Sequence, residues 1–179
     1  MIEKLPEELV LDSKDERKIK VRRARVSDLP ELIRNFETIA SEGKYLGTER
    51  VSDEQKERIR KRISDEKALS AVVEVDGKLV GYVTVAQYGQ LEKTKDVYDL
   101  SMGIIGGYRS IGAGSALMTF SIEWAKERKA RKLCLEVFST NQRAIKLYEK
   151  FGFEIEGVRK KQFIIEGSFA DEVQMALFF

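Results

Sequence analysis

Tyr108-Arg109-Ser110-Ile111-Gly112-Ala113-Gly114 joins an apolar, strand-like run, Val97 to Ile105, to an amphipathic helix pattern that begins at once. Gly106, Gly107, Gly112 and Gly114 cluster where a strand must turn into a helix, and the missing Cβ lets the backbone make that turn. The first N–H groups of such a helix have no partner within it, and the helix dipole adds partial positive charge there. Arg109 adds a full charge at the rim. The arrangement suits a diphosphate. Its plainer reading is a glycine-rich turn that only packs a helix closely on a sheet.

Spacing narrows the choice. Arg109, Gly112 and Gly114 read Arg-x-x-Gly-x-Gly, too short for a Walker loop and lacking its Gly-Lys-Ser/Thr ending. Leu117 stands where a dinucleotide fingerprint needs a third glycine. At this point the chain resembles the GNAT superfamily of N-acetyltransferases, whose acetyl-CoA pyrophosphate loop reads Arg/Gln-x-x-Gly-x-Gly/Ala between a strand and a helix.

The chain has 179 residues, a length that predicts one domain burying roughly two-thirds of its unfolded surface. With 42% hydrophobic and 35% charged residues it reads as a soluble globular protein. A net charge of only +2 implies neither a nucleic acid nor an anionic membrane as partner. No apolar run approaches the roughly 18 residues of a spanning helix, and the N-terminus is too charged for a signal peptide. The single cysteine, Cys134, excludes an internal disulfide and fits a reducing, cytoplasmic setting. One Cys and no His build no zinc site, so no metal is expected. Without His, acid–base chemistry falls to Glu, Asp, Tyr, Lys or water. Abundant Lys, Arg and Glu beside scarce Asn and Cys lean towards a thermophilic source.

Residues 1–17 are charged and aperiodic and read as an extension outside a single domain at 18–179. Ile19 to Ala24 alternates as a half-buried strand. Asp28 caps a helix with Pro30 in its first turn, running to about Ala40. Ser52 or Asp53 opens a very charged helix to about Ile63, read as a solvated surface element or as a flap beside a substrate groove. Ala71 to Val75 and Leu79 to Ala86 form a hairpin around Asp76-Gly77, a type I′ signal. The strand at 97–105 and a helix at about 112–128 follow, the helix carrying an apolar stripe of Ala113, Leu117, Phe120 and Trp124. Leu133 to Phe138 is a compact strand, Asn141 to Phe151 a short helix stopped by Gly152, and strands at about 153–164 and 169–178 meet at Glu166-Gly167. The fold class is α/β (α+β): a central mixed, mostly antiparallel sheet of six or seven strands flanked by about four helices.

Glu136 is one charge in the otherwise apolar run Leu133-Cys134-Leu135-Glu136-Val137-Phe138. Period two puts it on one sheet face with Cys134 and Phe138, where a desolvated carboxylate has a raised pKa and can serve as a general base. The alternative is a face open to solvent. Asn141, Ala144, Ile145 and Tyr148 recur at helical spacing, so the amide and the phenol share a face, although a phenol on such a stripe is by default a core aromatic.

The runs Leu135-Glu136-Val137, Asn141, Ala144 and Leu147-Tyr148-Glu149-Lys150-Phe151-Gly152-Phe153 resemble the second hallmark segment of the GNAT family, and the ending 165–175 is similar to closing hairpins of its spermidine and amino-acid acetyltransferases. The resemblance covers about residues 19–179. It implies the acyl-CoA N-acyltransferase fold and acetyl-CoA as cosubstrate, held by Met102, Gly103, Ile104, Arg109, Ser110, Ile111, Gly112, Ala113, Gly114, Ser115 and Asn141. It implies Tyr148 as general acid and, as in ribosomal-protein N-terminal acetyltransferases, Glu136 as base. The strand at 97–105 lacks the glutamate that some members use and offers only Asp99, so Asp99 and water stay open as alternatives. The implied activity is acetyl transfer to a primary amine: a polyamine, an amino acid or a protein N-terminus. A homodimer stands as an option. Two other classes remain, a non-catalytic CoA-binding regulatory module and a nucleotide-binding module, the second disfavoured by the missing P-loop lysine.

Overall fold

The computed structural model describes residues 6–13, 15–46 and 50–179. Its strands are β1 (Glu8–Asp12), β2 (Lys18–Arg23), β3 (Leu69–Val75), β4 (Lys78–Gln87), β5 (Val97–Ile104), β6 (Lys132–Phe138), β7 (Glu154–Ile165) and β8 (Ser168–Phe178). Four helices intervene: α1 (Leu29–Ser41), α2 (Asp53–Ile63), α3 (Ala113–Glu127) and α4 (Gln142–Lys150). All strands join one sheet in the order β1-β2-β3-β4-β5-β6-β8-β7, antiparallel except for β5 and β6. That exception follows from the α3 crossover, since parallel neighbours need a long connection.

The hairpins form where the turn residues demand. Asp76 and Gly77 have φ of 50° and 79°, and Glu166 and Gly167 have 50° and 78°, the two positive values of a type I′ turn. Ala113, Leu117, Phe120 and Trp124 are all fully buried, so the apolar stripe of α3 faces the main core beneath β2–β5. On the opposite face α1 packs Leu32 and Ile39 against Val72 and Tyr82. Among the described residues no helix is long and apolar enough to cross a membrane.

Two expectations need correction. The sheet has eight strands rather than six or seven, because part of the supposed extension is a strand. Glu8–Asp12 pairs with β2, and Lys20–Glu8 (2.9 Å) and Lys18–Asp12 (2.6 Å) ion pairs flank the register. Leu9-Val10-Leu11 has no period-two contrast, so only the open edge of β2 makes it a strand. Residues 1–5 and 14 of that extension lie outside the described residues. Asp28 does stand at the N-cap of α1, yet its side chain makes no bond to that helix; it accepts from the Arg25 N–H (2.7 Å) within a preceding 3₁₀ turn, Val26–Asp28.

Asp28 also receives Arg22 Nη1 at 2.8 Å, while Arg22 Nη2 reaches Glu74 at 2.6 Å, tying β2, β3 and the start of α1 together. These three side chains are only 12%, 12% and 17% exposed. Arg22→Met is therefore expected to leave two facing carboxylates unpaired and to cost about 3 kcal/mol in urea unfolding. The guanidinium of Arg22 holds the Asp28 carboxyl below the usual aspartate range. That contribution is present at neutral pH and lost as acid titrates the group, so the deficit should shrink well below the ordinary value of about 3.9.

Candidate active site

The site is a place where the sheet comes apart. β5 and β6 pair through only three rungs, Val97↔Lys132, Tyr98↔Leu133 and Asp99↔Cys134. Beyond them β5 follows β4 to Ile104 and β6 follows β8 to Phe138, leaving a wedge whose facing strand edges have no strand partner. A cleft of about 410 Å³ fills the wedge. Met102, Gly103 and Ile104 line one side, Glu136, Val137 and Phe138 the other, and Asn141 and Tyr148 of α4 close its end. Arg109, Ser110, Gly112, Gly114 and Ser115 reach its mouth, so the two sequence motifs converge. Ile111 and Ala113 do not line it; Ala113 is fully buried, and Ile111 packs on the core.

The loop fits an anion. Gly112 has φ of 113° at the N-cap of α3, and Ser110 has φ of 66°, a left-handed conformation that its residue type does not advertise. The first bond of the helix runs from Ala116 N–H to Gly112 O (2.9 Å), so the N–H groups of Ala113, Gly114 and Ser115 find no backbone acceptor among the described residues. Gly114 lets α4 approach: a Cβ there would stand 3.0 Å from Leu147 Cδ2.

Arg109 stands at the rim, but its charge is already paired. Its Nη1 lies 2.7 Å from Glu42 Oε2, its Nη2 bonds the other oxygen of that carboxylate, and its Nε donates to Ile104 O at 2.8 Å. Tyr45 stacks on the guanidinium with 4.6 Å to the ring centroid. The side chain thus ties the end of α1 to the loop, and what the loop leaves open to an anion is its backbone N–H groups. Asn141 caps α4, accepting from Ala144 N–H at 3.3 Å. Tyr148 is 7% exposed, its ring 5.9 Å from that of Phe153. Its hydroxyl has no hydrogen-bond partner among the described residues, and burial pushes its pKa up to about 12.

Glu136 is not desolvated as its apolar neighbours suggested. Its side chain is 49% exposed and pairs with Arg159 Nη1 at 2.8 Å, while Arg159 also bonds the buried Glu172. The reason is topological: beyond the last β5–β6 rung the face it shares with Cys134 is a groove and not a core. This groove, about 610 Å³, runs over Thr84, Asp99, Ser101, Cys134 and Gln174, with Arg62 at its edge. Arg62 is the residue of the charged helix α2 that lines this groove, and no residue of that helix is buried. Ser101 and Glu136 line both the groove and the cleft.

Asp99 lies on the groove floor, accessible to solvent yet set in a concavity. Burial there raises its carboxyl to about 6, the neighbouring Glu136 charge adds to the rise, and Arg62 opposes it. Cys134 donates its thiol to Tyr98 O (3.0 Å), and burial pushes its pKa to about 11, which leaves it protonated and no nucleophile. Sequence reasoning missed Glu42, Tyr45, Arg62 and Ser101. None of them stands in a motif, and Arg62 is one of several cations on a charged helix.

Residues 32–153 match the Acetyltransferase (GNAT) family. The chain is similar to the L-amino acid N-acetyltransferase AaaT of Escherichia coli (strain K12), 31% identical over 134 residues, 74% of this chain and 82% of that protein. It is also similar to Spermidine N(1)-acetyltransferase of the same strain, 26% identical over 119 residues, 66% of this chain but only 62% of that protein. A crystal structure of a GNAT-family acetyltransferase from Streptococcus pneumoniae has a TM-score of 0.80 at 28% identity, covering 90% of this chain and 99% of that one.

Proposed function

The chain belongs to the Acetyltransferase (GNAT) family, acetyl-CoA-dependent N-acetyltransferases, and from that premise we propose that it moves the acetyl group of acetyl-CoA to a primary amine by direct attack. The observation that carries this reading is that Ser101 and Glu136 line both the cleft and the groove, so the two adjoin at these residues. An acyl donor in the first and an amine in the second meet there.

The N–H groups of Gly114 and Ser115 take the diphosphate, and the free edge of β5 at Met102, Gly103 and Ile104 holds the pantetheine arm and polarises the thioester carbonyl. Acetyl-CoA supplies the activated acetyl group. An alkyl amine of pKa about 10.4 is neutral to only about one part in a few thousand at pH 7, so the site must remove a proton. Asp99 is the acceptor in this reading, because a carboxyl raised to about 6 is poised near neutrality. Glu136, placed first by strand spacing, stands at the junction held by Arg159 and meets the incoming ammonium. The neutral nitrogen attacks the carbonyl carbon, the carbon–sulfur bond breaks, Tyr148 donates its proton to the departing sulfur, and the proton that the acetylated nitrogen sheds restores the phenol. A phenol at about 12 stays protonated until that moment.

Thiol release from acetyl-CoA in the presence of an amine panel tests the function, and release with no primary amine would refute it. Tyr148→Phe keeps the ring against Phe153, so melting temperature should change little while kcat falls about 10²-fold, the lower end for a positioned acid. Normal turnover with a lowered melting temperature would return Tyr148 to a packing role.

A further inference from the structure

The groove carries two opposite charges, Asp99 and Arg62, that feel each other across it but are held by no ion pair among the described residues. Lys132 Nζ lies 2.6 Å from Glu156 Oε1, so those two are matched, and Arg159 Nη1 lies 2.8 Å from Glu136 Oε1 while also bonding Glu172. Asp99 on the floor and Arg62 on the edge line the same groove, and neither forms an ion pair or a side-chain hydrogen bond among the described residues. The spacing of α2 explains the second case. Lys56, Arg58 and Lys61 are neutralised by Asp53, Glu54 and Glu57 one turn earlier, whereas one turn before Arg62 stands Arg58. The remaining floor, with Thr84, Ser101 and Gln174, is polar and neutral.

An occupant that satisfies this groove presents a cation to Asp99 and an anion to Arg62. A polyamine fits poorly: Glu156 and Glu136 are already held by Lys132 and Arg159, and Arg62 repels a second ammonium. A guanidinium instead matches a carboxylate with paired N–H donors. We propose that the groove selects an amine bearing its own carboxylate, an amino acid, with its nitrogen at Asp99 and its carboxylate at Arg62. This rests on the acetyltransferase reading and narrows its acceptor.

The experiment measures kcat/KM with acetyl-CoA for the amino acids, their amides and spermidine, in the wild type and in Arg62→Gln and Arg62→Lys. The wild type should prefer the free acid to its amide by about tenfold or more, since the amide leaves Arg62 unmatched. In Arg62→Gln that ratio should collapse towards one, through KM for the acid, and Arg62→Lys should restore part of it. Equal use of acid and amide, a preference for spermidine, or an acid-to-amide ratio unmoved by Arg62→Gln would overturn the inference and leave the acetyltransferase reading standing. Absence of thiol release with every amine would overturn both.

Discussion

Gly112→Asp is expected to abolish measurable acetyl-CoA binding in calorimetry, a loss on the order of 10²-fold or more, while the protein stays folded. Two effects combine. Gly112 has φ of 113°, and a Cβ there would stand 3.3 Å from Ile19 Cδ1, so any side chain is strained by about 1–3 kcal/mol. A carboxylate at the same point also enters the mouth beside Gly114 and Ser115, whose N–H groups have no backbone acceptor among the described residues, and takes the place of the diphosphate. Gly112→Ala separates the two, since it carries the strain without the charge. Alanine should lower the melting temperature and weaken binding only modestly, and aspartate should add the large loss. Near-wild-type affinity in a folded Gly112→Asp protein would place the diphosphate elsewhere.

Asp99→Asn is expected to lower kcat/KM by about 10²–10⁴-fold and to remove the acidic limb of the pH–rate profile. With its carboxyl raised to about 6, Asp99 is a base above that pH and protonated below it, so wild-type activity should rise through this point. The groups that face it are Arg62, Glu136, Lys132, Glu156 and Cys134. Glu136 raises its pKa, so Glu136→Gln should move the limb to lower pH rather than erase it. If Glu136→Gln erased the limb and Asp99→Asn left it, Glu136 would be the base. If neither variant changed it, water would be.

Stability supplies an independent sign. A carboxyl whose folded pKa lies above its unfolded value of about 3.9 contributes stability that is complete below that value and is lost as pH rises through about 6. Asparagine has no such loss. Asp99→Asn should therefore melt higher than the wild type at pH 8 and like it near pH 4, gaining stability as it loses turnover. A purely structural Asp99 with stabilising contacts would give the opposite order.

Much of this architecture is written in local chemistry. Asp76-Gly77 and Glu166-Gly167 make type I′ turns because those residue types accept positive φ, and neighbouring strands then pair without further instruction. Ala113, Leu117, Phe120 and Trp124 are buried because helical spacing puts them on one stripe. Arg109, Gly112 and Gly114 carry the family resemblance through spacing alone, and the strand-to-helix turn they predict is the mouth of the cleft.

Other decisions belong to the tertiary structure. Periodicity names the residues that share a face but not what covers that face. Glu136 does lie beside Cys134 as spacing required, yet it is half exposed because β5 and β6 part after Asp99↔Cys134. That parting depends on β4 and β8 drawing the two strands away, which no local pattern encodes. Arg109 lines the cleft as its motif implies, but its partner is Glu42, 67 residues earlier, because α1 ends beside the loop. Asp99 and Arg62 come from different elements, and only the folded sheet puts their opposite charges in one groove. Strand, helix and turn follow from interactions over a few residues, whereas the position of a split in a sheet and the partner of a charge follow from which distant surfaces meet.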